Sequence, residues 1–391
     1  MTGTIDFSDA GANVSTLHLS TSGGAVLTVA VPLPGVTQGT LQGDFSVSVD
    51  QTGHYTFEIW LEDSAGHTSN HLAGTFDVLV NDSASSWREI PLENSDILLG
   101  AAWNGSLYVA VGQGGVVMTS ADALTWTRQQ LPPTIQLNQL SSVAWSGSIW
   151  AAVGYSAQKA AIVTSADGVV WSVSYQTADC SDPSTCPPQQ ALAKIIWDGT
   201  QFVSVGHESA PGSSPTALIM TSPDGVTWTQ RATGAIPVGS DEGLGMASVA
   251  SSGSVLVAAG QAADGTAAVW TSPDAVSWTR QGLPLAGQRV LRDIAWGPSG
   301  FVAVGWGGSP ATASSADGLS WQANQDAVPL SAMNAIAAGP TKYLAVSNTS
   351  IETTAGGMTW VPSPTTRPCG NAVLWDGRRW VSFAAEVCLS P

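Results

Sequence analysis

Only 10% of the 391 residues are charged and 43% are hydrophobic, with 42 glycines and 17 tryptophans, a turn-rich, core-forming composition that excludes a disordered chain. The formal charge of −17, with 12 lysines and arginines in all, excludes nucleic acid as a partner and disfavours an anionic membrane surface, because both are gripped by clustered cations. No apolar run reaches the ~18 residues of a spanning helix, so no membrane insertion is expected.

Residues 1–82 read as one small β-sandwich. Residues 26–31, 44–49, 55–61 and 75–80 alternate or run apolar over strand length, and turn formers such as Gly23-Gly24, Pro34-Gly35 and Ala65-Gly66 separate them. Residues 50–57, with Asp50, Gly53 and Tyr55, resemble the tyrosine corner of immunoglobulin-like domains, and residues 58–67 resemble the last hairpin of bacterial Ig-like modules. Phe57 stands where antibody domains carry cysteine, so the resemblance implies no inter-sheet disulfide. It speaks for fold, not function. Four of the five histidines, His18, His54, His67 and His71, fall here and are expected on the surface rather than around a metal.

Residues 83–391 are repetitive. Ser120-Ala-Asp-Ala-Leu-Thr-Trp126 recurs as Ser165-Ala-Asp-Gly-Val-Val-Trp171, Ser222-Pro-Asp-Gly-Val-Thr-Trp228, Ser272-Pro-Asp-Ala-Val-Ser-Trp278 and Ser315-Ala-Asp-Gly-Leu-Ser-Trp321. Thr354-Ala-Gly-Gly-Met-Thr-Trp360 is a degraded copy with Gly356 in the aspartate position. A period of roughly 40–57 residues built from short strands signals a propeller or array. A second phrase, strand–tight turn–strand, alternates with this box at residues 102–112, 144–154, 196–206, 250–260, 295–305, 337–347 and 374–384. Each repeat is therefore a four-stranded antiparallel unit, a to d, with the tryptophan box in the c–d turn. Seven hairpins against six boxes leave one outer strand missing. Ser86-Trp87-Arg88-Glu89-Ile90-Pro91-Leu92 reads like the outer strand after Trp126, so residues 86–92 are expected to complete the last repeat by strand exchange. The expected fold is all-β: a seven-bladed β-propeller closed by strand exchange, preceded by an Ig-like β-sandwich.

This portion resembles the Asp-box (BNR-like) propellers, a superfamily that includes sialidases, photosystem assembly factors and many secreted bacterial proteins. The family phrase is Ser-x-Asp-x-Gly-x-Thr-Trp, and the copies here are one residue shorter. The resemblance implies that Asp122, Asp167, Asp224, Asp274 and Asp317 fix turns and that the box tryptophans pack between blades. Sialidase chemistry is not expected. Arg128, Arg231 and Arg280 run into outer strands, Arg378 and Arg379 sit in an a–b turn on the opposite face, and only Arg289, Arg292 and Arg367 remain to grip a carboxylate.

Ligands of propellers meet the d–a and b–c loops or the channel mouth, so long loops direct attention to residues 176–190, 207–215 and 232–245. His207 and Glu208 are placed in a b–c loop facing Asp241 and Glu242, where carboxylates could act as acid and base or remain solvated. Lys194, Arg292 and Asp293 lie at or just before inner-strand starts, within reach of the channel mouth, where they could contact a ligand or Lys194 and Asp293 could neutralise each other. Trp306 and Tyr155 follow second strands and suit stacking on sugar rings or packing on a neighbouring loop.

Two disulfides are expected, Cys180–Cys186 and Cys369–Cys388, since neither spacing fits a zinc site. The N-terminus has neither a basic start nor an apolar segment, so the chain is either cytosolic or has lost a leader; the four cysteines favour the second, and a secreted or surface chain is expected. No cofactor motif appears. The expected function is a monomeric binding protein for a glycan or protein ligand. A carbohydrate-active hydrolase or lyase, with His207 as first suspect, and an assembly scaffold are the alternatives.

Overall fold

The structure is a computed structural model; it describes the chain except residues 1, 9–12, 23–25, 31–36, 45–52, 70, 79–86, 93–95, 158, 179–187, 211, 232–235, 240–244, 286, 308–310, 325–331, 364–369 and 391. Among the described residues every regular element is a strand. The chain divides into two compact units, Met1–Asn81 and Asp82–Pro391.

In the first unit a four-stranded antiparallel sheet runs in the order Val26–Ala30, Val14–Thr21, Gly53–Asp63, Leu72–Val78, and Thr2–Ser8 pairs with Gln38–Asp44 in a separate two-stranded sheet. Of the expected strand at 44–49, Asp44 ends the paired strand Gln38–Asp44, and residues 45–49 lie outside the described residues. Alternation of side chains along a strand buries Leu17, Leu19 and Leu61 on one face. On the other face the Trp60 indole is sandwiched between His18 and His71, ring centroids 5.0 and 4.6 Å away. The outer edge of each imidazole meets a carboxylate, His18 with Glu62 and His71 with Glu58. These histidines hold a sheet face together, and the backbone of His67 closes a turn on Asp63. The side chains of His54 and Tyr55, including the expected tyrosine corner, lie outside the described residues.

Among the described residues of the second unit there are seven four-stranded antiparallel sheets. Their innermost strands are Leu98–Trp103, Gln139–Trp145, Gln189–Trp197, Met246–Ser251, Val290–Gly297, Ala335–Ala338 and Ala372–Trp375. Each innermost strand packs against the next, and the seventh returns to the first. The result is a β-propeller-like fold in which radial stacking buries both faces of sheets that could not stand alone. In the seventh sheet Glu386–Leu389 pairs with Arg88–Pro91, with Val387 opposite Ile90 and Leu389 opposite Arg88. The outer strand missing from the C-terminal repeat is thus supplied from residues that precede the first.

Local chemistry sets the turns. Between first and second strands, Asn104, Asp198 and Asp376 accept the backbone N–H groups two and three residues on, and the next residue, Gly105, Gly199 or Gly377, is left-handed. Between third and fourth strands the box aspartate does the same work. Asp224 Oδ1 accepts the Ser222 hydroxyl at 3.0 Å and the N–H groups of Val226 and Thr227, both at 2.8 Å. Asp122, Asp167, Asp274 and Asp317 repeat this set. These donated hydrogen bonds hold all five carboxyls below the ordinary aspartate range, the N–H three residues on being the largest cause.

Each sheet-to-sheet interface takes one tryptophan from the position just before an outer strand. Trp126, Trp171, Trp228, Trp278, Trp321 and Trp360 fill six interfaces. Trp87 fills the seventh, against Leu344, Val346, Ile351 and Trp380.

Candidate functional site

A cavity of about 470 Å³ runs along the axis of the ring, lined by the innermost strands. Its geometry begins with a bulge. In five sheets the register of the innermost strand shifts by one residue, between Leu98 and Gly100, Leu140 and Ser142, Leu192 and Lys194, Met246 and Ser248, and Leu291 and Asp293. Opposite each bulge the second strand carries glycine, namely Gly112, Gly154, Gly206, Gly260 and Gly305. A β-carbon there would lie 2.0 Å from a carbonyl oxygen of the facing strand. Sheets six and seven carry Ser347 and Ala384 instead, and their registers run without a shift. The bulges re-aim side chains into the lumen, which brings Lys194, Arg292 and Asp293 together with Ser141, Asn334 and Asn371.

Asp293 is the carboxylate of this cavity, and its oxygens are occupied. Oδ1 accepts Lys194 Nζ at 2.9 Å and Ser248 Oγ at 2.6 Å, and Oδ2 accepts the Ile336 backbone N–H at 2.9 Å. Those three donors come from sheets three, four and six, so the buried carboxylate ties the inner strands across the axis. Arg292 extends toward Asn334 Oδ1 at 3.4 Å, and its guanidinium carbon lies 5.5 Å from the centre of the Trp306 ring. Trp306 is 36% exposed. Asn334 and Asn371 donate to the carbonyls of Gly370 and Leu98, bridging adjacent sheets.

The remaining expected residues fall differently. His207 and Glu208 do not form a loop: the second strand of sheet three extends over Phe202–Ser209, with His207 opposite Ala191 and Glu208 opposite Gln190. Glu208 Oε2 accepts Gln190 Nε2 at 2.9 Å and Gln230 Nε2 at 3.0 Å, a network spanning the first, second and fourth strands of its own sheet. That reach across one sheet suits a structural carboxylate. Asp241 and Glu242 lie outside the described residues, as do Cys180, Cys186 and Cys369. Tyr155 and Trp306 sit in strands too, Trp150–Ser156 and Gly300–Trp306, rather than in loops. Cys388 is disulfide-bonded and fully buried. No cluster of three or more His, Cys, Asp or Glu side chains suited to a metal occurs among the described residues.

Two features escaped the sequence reading. One is the bulge–glycine pair, whose signal was the glycine closing five of the seven hairpin phrases. The other is a clasp between sheets one and seven. The Tyr108 hydroxyl donates to Asp376 Oδ2, and Arg379 donates to the Asp122 carbonyl at 2.7 Å. Burial first, and the Asp376 carboxylate second, raise the Tyr108 phenol well above its ordinary value.

No protein-family model matches the chain, and no curated protein matches it. Among solved structures it is similar to the computationally designed Ika8 protein, with 12% identity and a TM-score of 0.44 over 77% of this chain and 99% of that one. It is also similar to a chain in the crystal structure of a mitotic checkpoint complex, with 13% identity and a TM-score of 0.49 over 81% of this chain and 98% of that one.

Proposed function

We propose that the protein is a secreted or surface-attached, non-catalytic binding protein: a seven-bladed propeller of the Asp-box type with an Ig-like module, which takes a glycan at the mouth of its axial cavity. The observation that carries this reading is the state of Asp293. An acid–base residue needs a proton or a lone pair to exchange with substrate, and both oxygens of Asp293 are engaged by three donors of the protein itself. What the cavity offers instead is Arg292 on its lining with the 36%-exposed Trp306 indole stacked on that guanidinium, an aromatic surface suited to a sugar face, and the Lys194 ammonium and Asn371 amide on the same lining for hydroxyls. The disulfide at Cys388 supports an oxidising compartment; pairing of Cys388 with Cys369, and of Cys180 with Cys186, belongs to the same reading.

A glycan array followed by calorimetry tests it. The expected result is binding of a defined oligosaccharide class, weakened at least tenfold by Trp306→Ala, with no release of reducing ends from polysaccharide. Turnover abolished by Asp293→Asn would establish the hydrolase reading instead.

A further inference from the structure

The opposite end of the ring carries a feature that the fold does not need. In every box turn the residue two positions after the aspartate site is aliphatic: Leu124, Val169, Val226, Val276, Leu319 and Met358, each 37–63% exposed. In the five intact boxes the fold uses only the backbone of this residue, whose N–H reaches the aspartate at 2.8 Å. Any L-residue supplies that. Single exposed aliphatics are unremarkable, but apolar side chains repeated at one corner of successive sheets mark a surface for association.

The a–b turns lie at the same end. Register places Ser222 opposite Phe202 and Phe202 opposite Trp197, so the box of sheet three is level with its first hairpin turn. Successive turns touch: a β-carbon at Gly225 would meet Ile149 of the preceding sheet at 3.1 Å, and Ser299 donates to the Ala355 carbonyl at 2.6 Å. The end is therefore a continuous belt, to which 39%-exposed Trp296 also belongs.

Charge makes this belt selective. Through sheets two to five its turns carry Asp167, Asp198, Asp224, Asp274 and Asp317 and no lysine or arginine. The box carboxylates close the turn with one oxygen, and Asp167, Asp224, Asp274 and Asp317 are all exposed. Further along the outer strands, Arg231 and Arg280 are engaged by Thr221 and by Asp264 and Thr266. The turn cations of this end, Lys342, Arg378 and Arg379, belong to sheets six and seven.

We propose that the box-turn arc of sheets two to five docks a cationic, amphipathic segment of a partner protein, with aliphatic side chains meeting Val169, Val226, Val276 and Leu319 and lysines or arginines meeting the carboxylates between them. A second copy of the chain would set like-charged arcs against each other in a protein of net charge −17, and an anionic membrane would be repelled by the same carboxylates. This surface is independent of the glycan mouth, which lies at the other end of the strands.

The test uses the full chain and three short synthetic peptides, Lys/Leu, Glu/Leu and Lys/Ser, titrated calorimetrically at low and high salt. The expected result is that the Lys/Leu peptide alone binds, more weakly as salt rises. The triple variant Val169→Ser, Val226→Ser, Leu319→Ser and the triple variant Asp167→Asn, Asp224→Asn, Asp317→Asn are each expected to weaken it at least tenfold. Asparagine retains the oxygen that closes each turn, which keeps the second variant folded, and Val276→Ser alone serves as a milder variant with a severalfold loss. Val361→Ser, on an outer strand, leaves binding unchanged. Binding of no peptide, equal binding of Glu/Leu or Lys/Ser, or variants that bind like the parent would overturn the proposal. So would sedimentation showing a dimer that the valine and leucine changes dissolve, or binding to neutral phosphatidylcholine vesicles that the same changes abolish.

Discussion

At the scale of single residues, one side-chain absence and one side-chain presence shape most of the repeats. The glycine opposite each bulge is required by contact: with a β-carbon 2.0 Å from the Ala191 carbonyl, Gly206→Ala must push two strands apart. Overpacking of this kind costs about 1–3 kcal/mol or more, so a lowered denaturation midpoint is expected. Ala384→Gly in the unbulged seventh sheet is expected to cost less than ~1 kcal/mol. The box aspartates act with a definite pH sign. Their folded-state pKa values are depressed, so their contribution is present above the ordinary aspartate value and lost as pH falls through the folded one. Thermal midpoints are therefore expected to fall below pH ~4 and to fall less steeply when Asp122, Asp167 and Asp274 are changed to asparagine. Because these groups are exposed, salt screens each contribution and only their sum gives a measurable slope.

At the scale of elements, the interface tryptophans are equivalent in position but not in consequence. Trp278→Ala empties an apolar cluster between sheets three and four whose members are covalently continuous on both sides. Trp87→Ala empties the cluster between sheets six and seven and loosens the one outer strand that arrives from the far end of the chain. Removing a partly buried tryptophan costs about 3 kcal/mol, and the Trp87 change is expected to destabilise more, as read by chemical denaturation of both variants side by side.

These elements were legible because their chemistry is local. Serine, aspartate and tryptophan at fixed spacing announce a turn, and the likeness of residues 86–92 to the stretch after Trp126 announces the exchanged strand. The axial site was legible in part. Inner-strand position brings Lys194 and Asp293 to the channel as a pair, and they meet at 2.9 Å across 99 residues of sequence; the two bulges that aim them there are reported by no propensity. His207 and Glu208 were misplaced for a related reason: a strand extended by cross-strand pairing has no fixed end in its own sequence, and pairing with Gln189 and Gln190 carries it on to Ser209.

At the scale of the whole molecule, ring closure is the step on which the other interfaces depend. Six interfaces join sheets already adjacent in the chain; the seventh joins the last sheet to the first, and that last sheet is itself completed by residues 88–91. Three devices hold the seventh sheet in the ring: the pairing of Arg88–Pro91 with Glu386–Leu389 within it, Trp87 against the sixth sheet, and the Tyr108–Asp376–Arg379 clasp to the first. The Asp376 side chain is 3% exposed, so Tyr108→Phe leaves a buried carboxylate one donor short, an expected loss of about 1–3 kcal/mol. The larger test compares fragment 82–391 with fragment 92–391. Losing the exchanged strand and Trp87 leaves Glu386–Leu389 as an open edge and uncovers the sixth sheet, so the shorter fragment is expected to melt roughly 10 °C lower and to aggregate at its open edge. A synthetic peptide of residues 82–92 added in trans should restore much of the difference, because it supplies the same strand and indole without the covalent link. Equal melting of the two fragments would mean that the ring is held by its six continuous interfaces, and the closure devices would then be incidental to stability.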